Sequence, residues 1–336
     1  MTVRLLTGAL ALFLLATLAH AEEPRPRSFA SLDWNASVSV LAGYDDNISI
    51  SSLFRPGAKQ GSGTLELGGR LGGELGLGEL FEAELSYGFG QTFYFSDSEL
   101  SSQSHTLGLE ARLTHDRVEA ALGYAFGVTA LIPQGTFFSL DHEPSASVEV
   151  RLWRRLWAGV EYALHRYDVR DATYSYLQGE RHTLELYPQL FLPRKLTLYG
   201  GYRLELLRVG ALVDDLTGRT GTTVSVRAPL SSNGHYVFFF ARWRPLARLA
   251  FGLSGRVGRR AYLEPLVTTE ATGTSSLSRT DTVLTLEPTA RVSLWRGLSL
   301  RATFFFEKAF SSVSVRGVLA PSYYNVAASA GVAWER

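Results

Sequence analysis

The chain has no cysteine and a single methionine. Without cysteine it cannot be a small secreted fold stapled by disulfides, and no cysteine beside a cleavage point can carry a lipid anchor. It lacks an excess of charge of either sign. Its 33 Lys and Arg against 32 Asp and Glu leave a formal net charge of +1, so no overall field draws nucleic acid or an anionic surface. It also lacks long apolar runs. Beyond residue 21 nothing approaches the roughly 18 successive apolar residues of a membrane-spanning helix.

What the chain has is alternation. From Arg181 to Leu206, His182, Leu184, Leu186, Pro188, Leu190 and Leu192 alternate with Thr183, Glu185, Tyr187, Gln189 and Phe191. After Pro193-Arg194-Lys195 the pattern resumes, with Leu196, Leu198, Gly200, Tyr202, Leu204 and Leu206 on one face. Period two on both sides of a tight polar turn predicts a β-hairpin. Each arm is about ten residues long, against roughly five or six in soluble sheets, and about nine to eleven suffice to cross a bilayer at a tilt.

The same pattern recurs along the chain. Trp34 to Tyr44, Leu65 to Leu75, Phe81 to Phe89, Leu107 to Leu113 and Val118 to Phe126 each place apolar residues at every second position. So do the stretches up to Trp334, which gives about fourteen strands, with 12 or 16 as the alternatives. Short turns fall near Gly78, His115, Arg154, Arg194, Leu246 and Arg296. Longer loops lie between them, the longest from about Val209 to Asn233. The expectation is an all-β antiparallel transmembrane barrel over residues 33–336, with both termini on the periplasmic, short-turn side. Pro188 and Pro288 stand mid-strand in similar settings and predict a repeated bulge, since proline cannot donate to a ladder.

The six tryptophans divide this barrel from a soluble two-sheet sandwich. Trp34, Trp153, Trp157, Trp243, Trp295 and Trp334 all fall at the short-turn or terminal ends of strands. Amphipathic indoles collect at a membrane–water interface, so they mark a periplasmic aromatic girdle. At the start, Arg4, the apolar run Leu5 to Leu18 and Ala19-His20-Ala21 form a signal peptide over residues 1–21, cleaved near Ala21. Residues 22–32 form a polar lead. The address is then the outer membrane of a Gram-negative bacterium. Its lipid and lipopolysaccharide are expected partners, nucleic acid is not, and the barrel assembly machinery inserts it.

The polar faces predict what lines the lumen. Glu66, Arg70, Glu74, Glu82, Glu84, Glu110, Arg112, Glu149, Arg151, Glu185, Arg203, Glu205, Arg256, Glu287, Arg291 and Arg301 point inward on this reading, with small Gly88, Gly108 and Gly123 among them. Mixed signs allow a wall of Glu–Arg pairs, and the glycines leave room for a water-filled passage or a plug. No spacing of histidines and carboxylates converges on a metal, no nucleophile motif frames a serine, and no cofactor is expected.

Short motifs carry a resemblance. Ala42-Gly43-Tyr44-Asp45-Asp46-Asn47-Ile48 closes the first strand and Arg166-Tyr167-Asp168 the seventh. Descending strands open with Ser104-His105-Thr106-Leu107, Arg181-His182-Thr183-Leu184 and Gly234-His235-Tyr236-Val237. With Leu286-Glu287-Pro288, the chain resembles the outer-membrane β-barrel porin type that accompanies exopolysaccharide and biofilm gene clusters. More distantly it is similar to the barrel half of surface lipoprotein assembly modifiers. The resemblance implies a conduit for polysaccharide export served by a separate periplasmic export protein; with no nucleophile motif, no enzymatic activity is expected. A general diffusion porin of weak selectivity, from the mixed lumen charge, is the alternative; a barrel enzyme acting on lipid or surface polymer is the other.

Overall fold

A computed structural model describes residues 30–46, 61–78, 80–96, 98–133, 136–193, 195–217, 223–270, 273–313 and 323–336. The expected signal peptide lies outside the described residues, as do Arg194 and all of the expected lead before Ala30. Eighteen strands follow in order. They are β1 (Ala30–Asp45), β2 (Ser62–Leu77), β3 (Phe81–Tyr94), β4 (Ser102–His115), β5 (Val118–Leu131) and β6 (Thr136–Trp153). Then come β7 (Leu156–Val169), β8 (Gly179–Leu192), β9 (Leu196–Arg208), β10 (Ala211–Thr217), β11 (Thr223–Pro229) and β12 (Ser232–Leu246). The last are β13 (Leu249–Tyr262), β14 (Leu266–Glu270), β15 (Gly273–Leu277), β16 (Thr280–Trp295), β17 (Leu298–Ser311) and β18 (Tyr323–Glu335).

Fourteen of them close a barrel. Each pairs antiparallel with its predecessor, β12 following β9 and β16 following β13, and β18 returns to β1. The seam runs from Ser37 opposite Glu335 to Asp45 opposite Ala327, so each of the fourteen barrel strands has a neighbour on both sides, as hydrocarbon requires. Leucines, valines and aromatics such as Leu85, Leu109, Leu122, Val237, Phe251 and Leu300 stand exposed on the outer face. An apolar outside wrapped around a polar inside is the architecture of a transmembrane β-barrel. β1 already begins at Ala30, because Leu32 extends the outward alternation of Trp34 and Ala36.

All six short turns lie at one end of the barrel, together with the start of β1 and the end of β18. The β16–β17 turn has two successive left-handed residues, Arg296 (φ 40°) and Gly297 (φ 84°), the backbone of a two-residue hairpin loop. At the opposite end, the two longest connections fold on themselves. β10 and β11 form one hairpin and β14 and β15 another, and β11 pairs with β14 through Ser225, Val226 and Arg227 against Thr269, Thr268 and Val267. The sequence reading leaves this second sheet as loop. Its strands are only five to seven residues long, too short for the alternation to register.

The prolines correct one expectation. Leu186 pairs with Tyr202 and Gln189 with Tyr199, so Tyr187 and Pro188 leave a gap in the β8–β9 ladder without any shift of register. Pro288 does the same between Leu286–Phe306 and Thr289–Thr303. Pro144, which the sequence reading passes over, repeats it between His142–Arg166 and Ser145–Ala163. Each proline pairs regularly with the strand before it, opposite Ala158, Leu253 and Tyr124. The missing N–H therefore opens one side of the ladder and no residue is inserted.

True register shifts occur elsewhere, between Arg151 and Trp153, Trp243 and Leu246, and Ser293 and Trp295. By simple alternation Trp153 and Trp295 would face inward. The extra residue turns both outward, where they are 74% and 67% exposed. Trp34 and Trp243 are also exposed on the outer face, and Trp334 shares it with Val38. Trp157 is the exception. No shift separates it from Gly159 and Glu161, so it faces inward beneath the Arg151 guanidinium, 5.8 Å from its ring centre. It belongs to the inner rim, not to the lipid-facing girdle.

Candidate functional site

Antiparallel partners share a face, so the pairing fixes which side chains enter the lumen. Asp33 opposes Glu74, Glu74 opposes Glu84, and Glu84 opposes Glu110. Gly88 lies opposite Arg70, Gly108 opposite Ser86 and Gly123 opposite Glu110. By the same pairing Glu66, Glu82, Arg112, Glu149, Arg151, Glu185, Arg203, Glu205, Arg256, Glu287, Arg291 and Arg301 all lie on this inner face.

Following the alternation through every position of each strand changes the charge balance that the sequence reading anticipates. β1 to β7 add Asp33, Asp45, Glu119, Asp141, Glu143 and Glu161 to the inner wall. That half of the barrel then holds twelve carboxylates against Arg70, Arg112 and Arg151. β8 to β18 add Arg181, Arg242 and Arg260, with Asp281, Glu307 and Glu335. That half is nearly balanced, six carboxylates against seven arginines. The strands of this near-neutral chain therefore give the inner wall about −8 formal charge, or about −7 once Arg279, the buried partner of Asp281 beside the same cavity, is counted, and the excess is concentrated on one wall.

Arginine pairing leaves part of that wall uncompensated. Arg112 lies among Glu110 at 2.7 Å, Glu119 at 3.1 Å and Glu82 at 3.6 Å. Arg70 meets Glu84 at 2.6 Å. Among the described residues Glu66, Glu74 and Glu161 have no ion-pair partner. Across the lumen the pairs are closer to complete. Arg203 Nε donates to Glu185 at 2.6 Å, and the Tyr199 hydroxyl donates to the same carboxylate at 2.9 Å. Arg291 and Arg301 converge on Glu335.

Aromatic rings thicken this second wall, and sequence reading misses them because each reads as one polar-face tyrosine among many. Tyr187 donates to Glu149 at 2.7 Å and packs edge-on against Tyr199, with ring centres 4.6 Å apart. Tyr236 is 1% exposed and lies under the Arg256 guanidinium at 5.0 Å. Glycines seat these rings. A Cβ at Gly159 would stand 2.6 Å from the Tyr187 ring, and one at Gly258 2.5 Å from that of Tyr236. Gly88 is different: its nearest neighbour would be Thr106 at 3.7 Å, so it faces open space.

Cavities run through the interior in series. One of about 680 Å³ lies between Glu149, Glu161, Tyr187, Arg203 and Arg256, and one of about 550 Å³ above it shares Arg256. A third, about 230 Å³, shares Glu149, Glu161 and Tyr187 with the first and reaches Glu110 and Gly123. A fourth, about 150 Å³, continues from there to Arg70 and Glu84. Arg256 stands at the junction of the first two, 3.8 Å from both Glu205 and Glu307.

No family model and no curated protein matches the chain. Solved structures that it resembles include a "bacterial polysaccharide outer membrane secretin", at 13% identity and a TM-score of 0.42 over 90% of this chain and 98% of that one. An anion-selective porin from Comamonas acidovorans is 12% identical with a TM-score of 0.41, over 91% and 100%. OmpF of Salmonella typhi is 8% identical with a TM-score of 0.42, over 91% and 97%. All three TM-scores are low, so function is read from the barrel's own side chains.

Proposed function

We propose that this barrel is an outer-membrane conduit for hydrophilic material whose passage favours cations. The observation that carries the reading is the acidic inner wall of β1 to β7, with connected cavities running beside it. Charged side chains on a low-dielectric wall focus the field into the water they enclose and select ions by sign. In this reading the short turns and both termini face the periplasm, and export follows cleavage near Ala21.

The finer proposal is polysaccharide export to the cell surface, with a periplasmic export protein delivering the chain. Its support is the resemblance in the strand-end motifs and a lumen where Tyr187, Tyr199 and Phe238 present rings beside Glu and Arg, surfaces suited to sugar faces and hydroxyls. The acidic wall makes the cargo a neutral or positively charged polymer, since an acidic one is repelled. Deleting the gene and measuring surface polysaccharide tests this, with loss on deletion and recovery on complementation as the expected result. An unchanged surface, together with steady ion conductance by the purified barrel, favours the diffusion-porin alternative.

A further inference from the structure

Four times around the outer face, a tyrosine on an ascending strand meets a histidine on the next descending strand. Tyr87, Tyr124, Tyr162 and Tyr202 place their hydroxyls 2.6, 2.7, 2.8 and 2.5 Å from Nδ1 of His105, His142, His182 and His235. The histidines stand ten or eleven residues before the short-turn ends of their strands. At about 3.3 Å per residue and a tilt near 40°, that is roughly 25 Å above the tryptophan end, one hydrocarbon thickness. The belt therefore lies at head-group level on the long-loop side.

The four pairs are not equivalent. Nε2 of His105 is met by the Gln103 amide at 2.7 Å, and Nε2 of His182 by Glu180 at 3.2 Å. His142 and His235 have no such neighbour among the described residues. Instead each faces an arginine on the following strand, Arg166 opposite His142 and Arg259 opposite His235. Both arginines are exposed and neither makes an ion pair among the described residues; Arg259 faces Thr282 on its other side, while Arg166 stands directly opposite Glu180 of β8, the carboxylate that meets His182. With the phenol donating to Nδ1, the imidazole proton sits on Nε2 and points outward. The cross-strand guanidinium lies with its Cβ about 5 Å away. A neutral N–H donor and a guanidinium then share one notch, at the depth where membrane phosphates lie, and the Arg259 notch has no carboxylate opposite it.

We propose that Tyr124–His142–Arg166 and Tyr202–His235–Arg259 are two binding notches for the phosphate groups of an outer-leaflet glycolipid. The chemistry is charge-assisted hydrogen bonding of a phosphate oxygen by guanidinium and imidazole N–H. The tyrosines are positioning residues that fix the tautomer. This assignment depends on the barrel crossing a membrane and is independent of the cargo.

The test is a native mass-spectrometric titration of the purified full-length barrel with bis-phosphorylated lipid A, the same lipid dephosphorylated, and inorganic phosphate. The expected result is up to two retained bis-phosphorylated lipids and weaker retention of the dephosphorylated form. Replacing both Arg166→Gln and Arg259→Gln weakens binding by about tenfold or more, the loss expected for a charged hydrogen-bond donor. Tyr124→Phe with Tyr202→Phe gives a smaller loss, and Tyr87→Phe with Tyr162→Phe gives none. If the arginine variant does not assemble, the two tyrosine variants decide the matter by their difference. Equal retention of the dephosphorylated lipid, or equal effects of the two tyrosine variants, overturns the proposal. Displacement of the lipid by millimolar inorganic phosphate overturns the head-group assignment.

Discussion

Glu185 and Arg203 face each other across β8 and β9, with Tyr199 donating to the same carboxylate. Glu185 is only 7% exposed, and a guanidinium and a hydroxyl replace the water its carboxylate lost. Removing Arg203 alone strands that charge, which typically costs about 3–5 kcal/mol. Arg203→Met should therefore lower the urea midpoint of the barrel in lipid vesicles markedly, and adding Glu185→Gln should restore part of the loss. Gly88 makes the complementary point. A side chain there meets nothing closer than 3.7 Å, so Gly88→Trp should fold normally and reduce single-channel current, because the ring enters open lumen. At Gly159 the same change would evict Tyr187, and loss of the folded, heat-modifiable form on gels is the expected outcome.

At the scale of elements, the fourteen barrel strands were legible because apolar residues at every second position, sustained over ten or more residues, fit a strand and not a helix. Three things were not. Bulges one residue before the short turns reverse which face a side chain takes; they, and not the alternation, carry Trp153 and Trp295 to the outer face, while Trp157, read with them, stays inside. Prolines read as bulges left the register intact, because an antiparallel ladder can lose one N–H on one side without inserting a residue. The Tyr–His belt was half visible. His105, His182 and His235 stood out at strand starts, His142 did not, and each tyrosine partner is diagonal, two residues before the position directly opposite, as Tyr87 is to Phe89 against His105. The signal was a repeated Tyr-x-Phe or Tyr-x-Leu before each histidine. The outer sheet offers a direct check. Val226 and Thr268 are paired in register between β11 and β14, and the chain contains no cysteine of its own. Val226→Cys with Thr268→Cys should form a disulfide on mild oxidation, read as a mobility shift reversed by reductant. Free thiols at both positions would mean the two hairpins do not pair.

The whole molecule separates its charges by surface. A net charge of +1 conceals an inner wall rich in carboxylates, with Arg166 and Arg259 on the outer face. Sequence reading saw mixed signs because it took positions where Glu and Arg pair and left out Asp33, Glu119, Asp141, Glu143 and Glu161, which share the inner face and bring no further arginine to it. The consequence is ion selectivity, and the most direct measurement is the reversal potential of the purified barrel in a planar bilayer under a potassium chloride gradient. The account predicts a potassium-to-chloride permeability ratio well above one, falling toward one when Glu66, Glu74, Glu82 and Glu84 are changed together to Gln. A ratio below one in the unmodified protein, or a ratio that ignores the four substitutions, would contradict it.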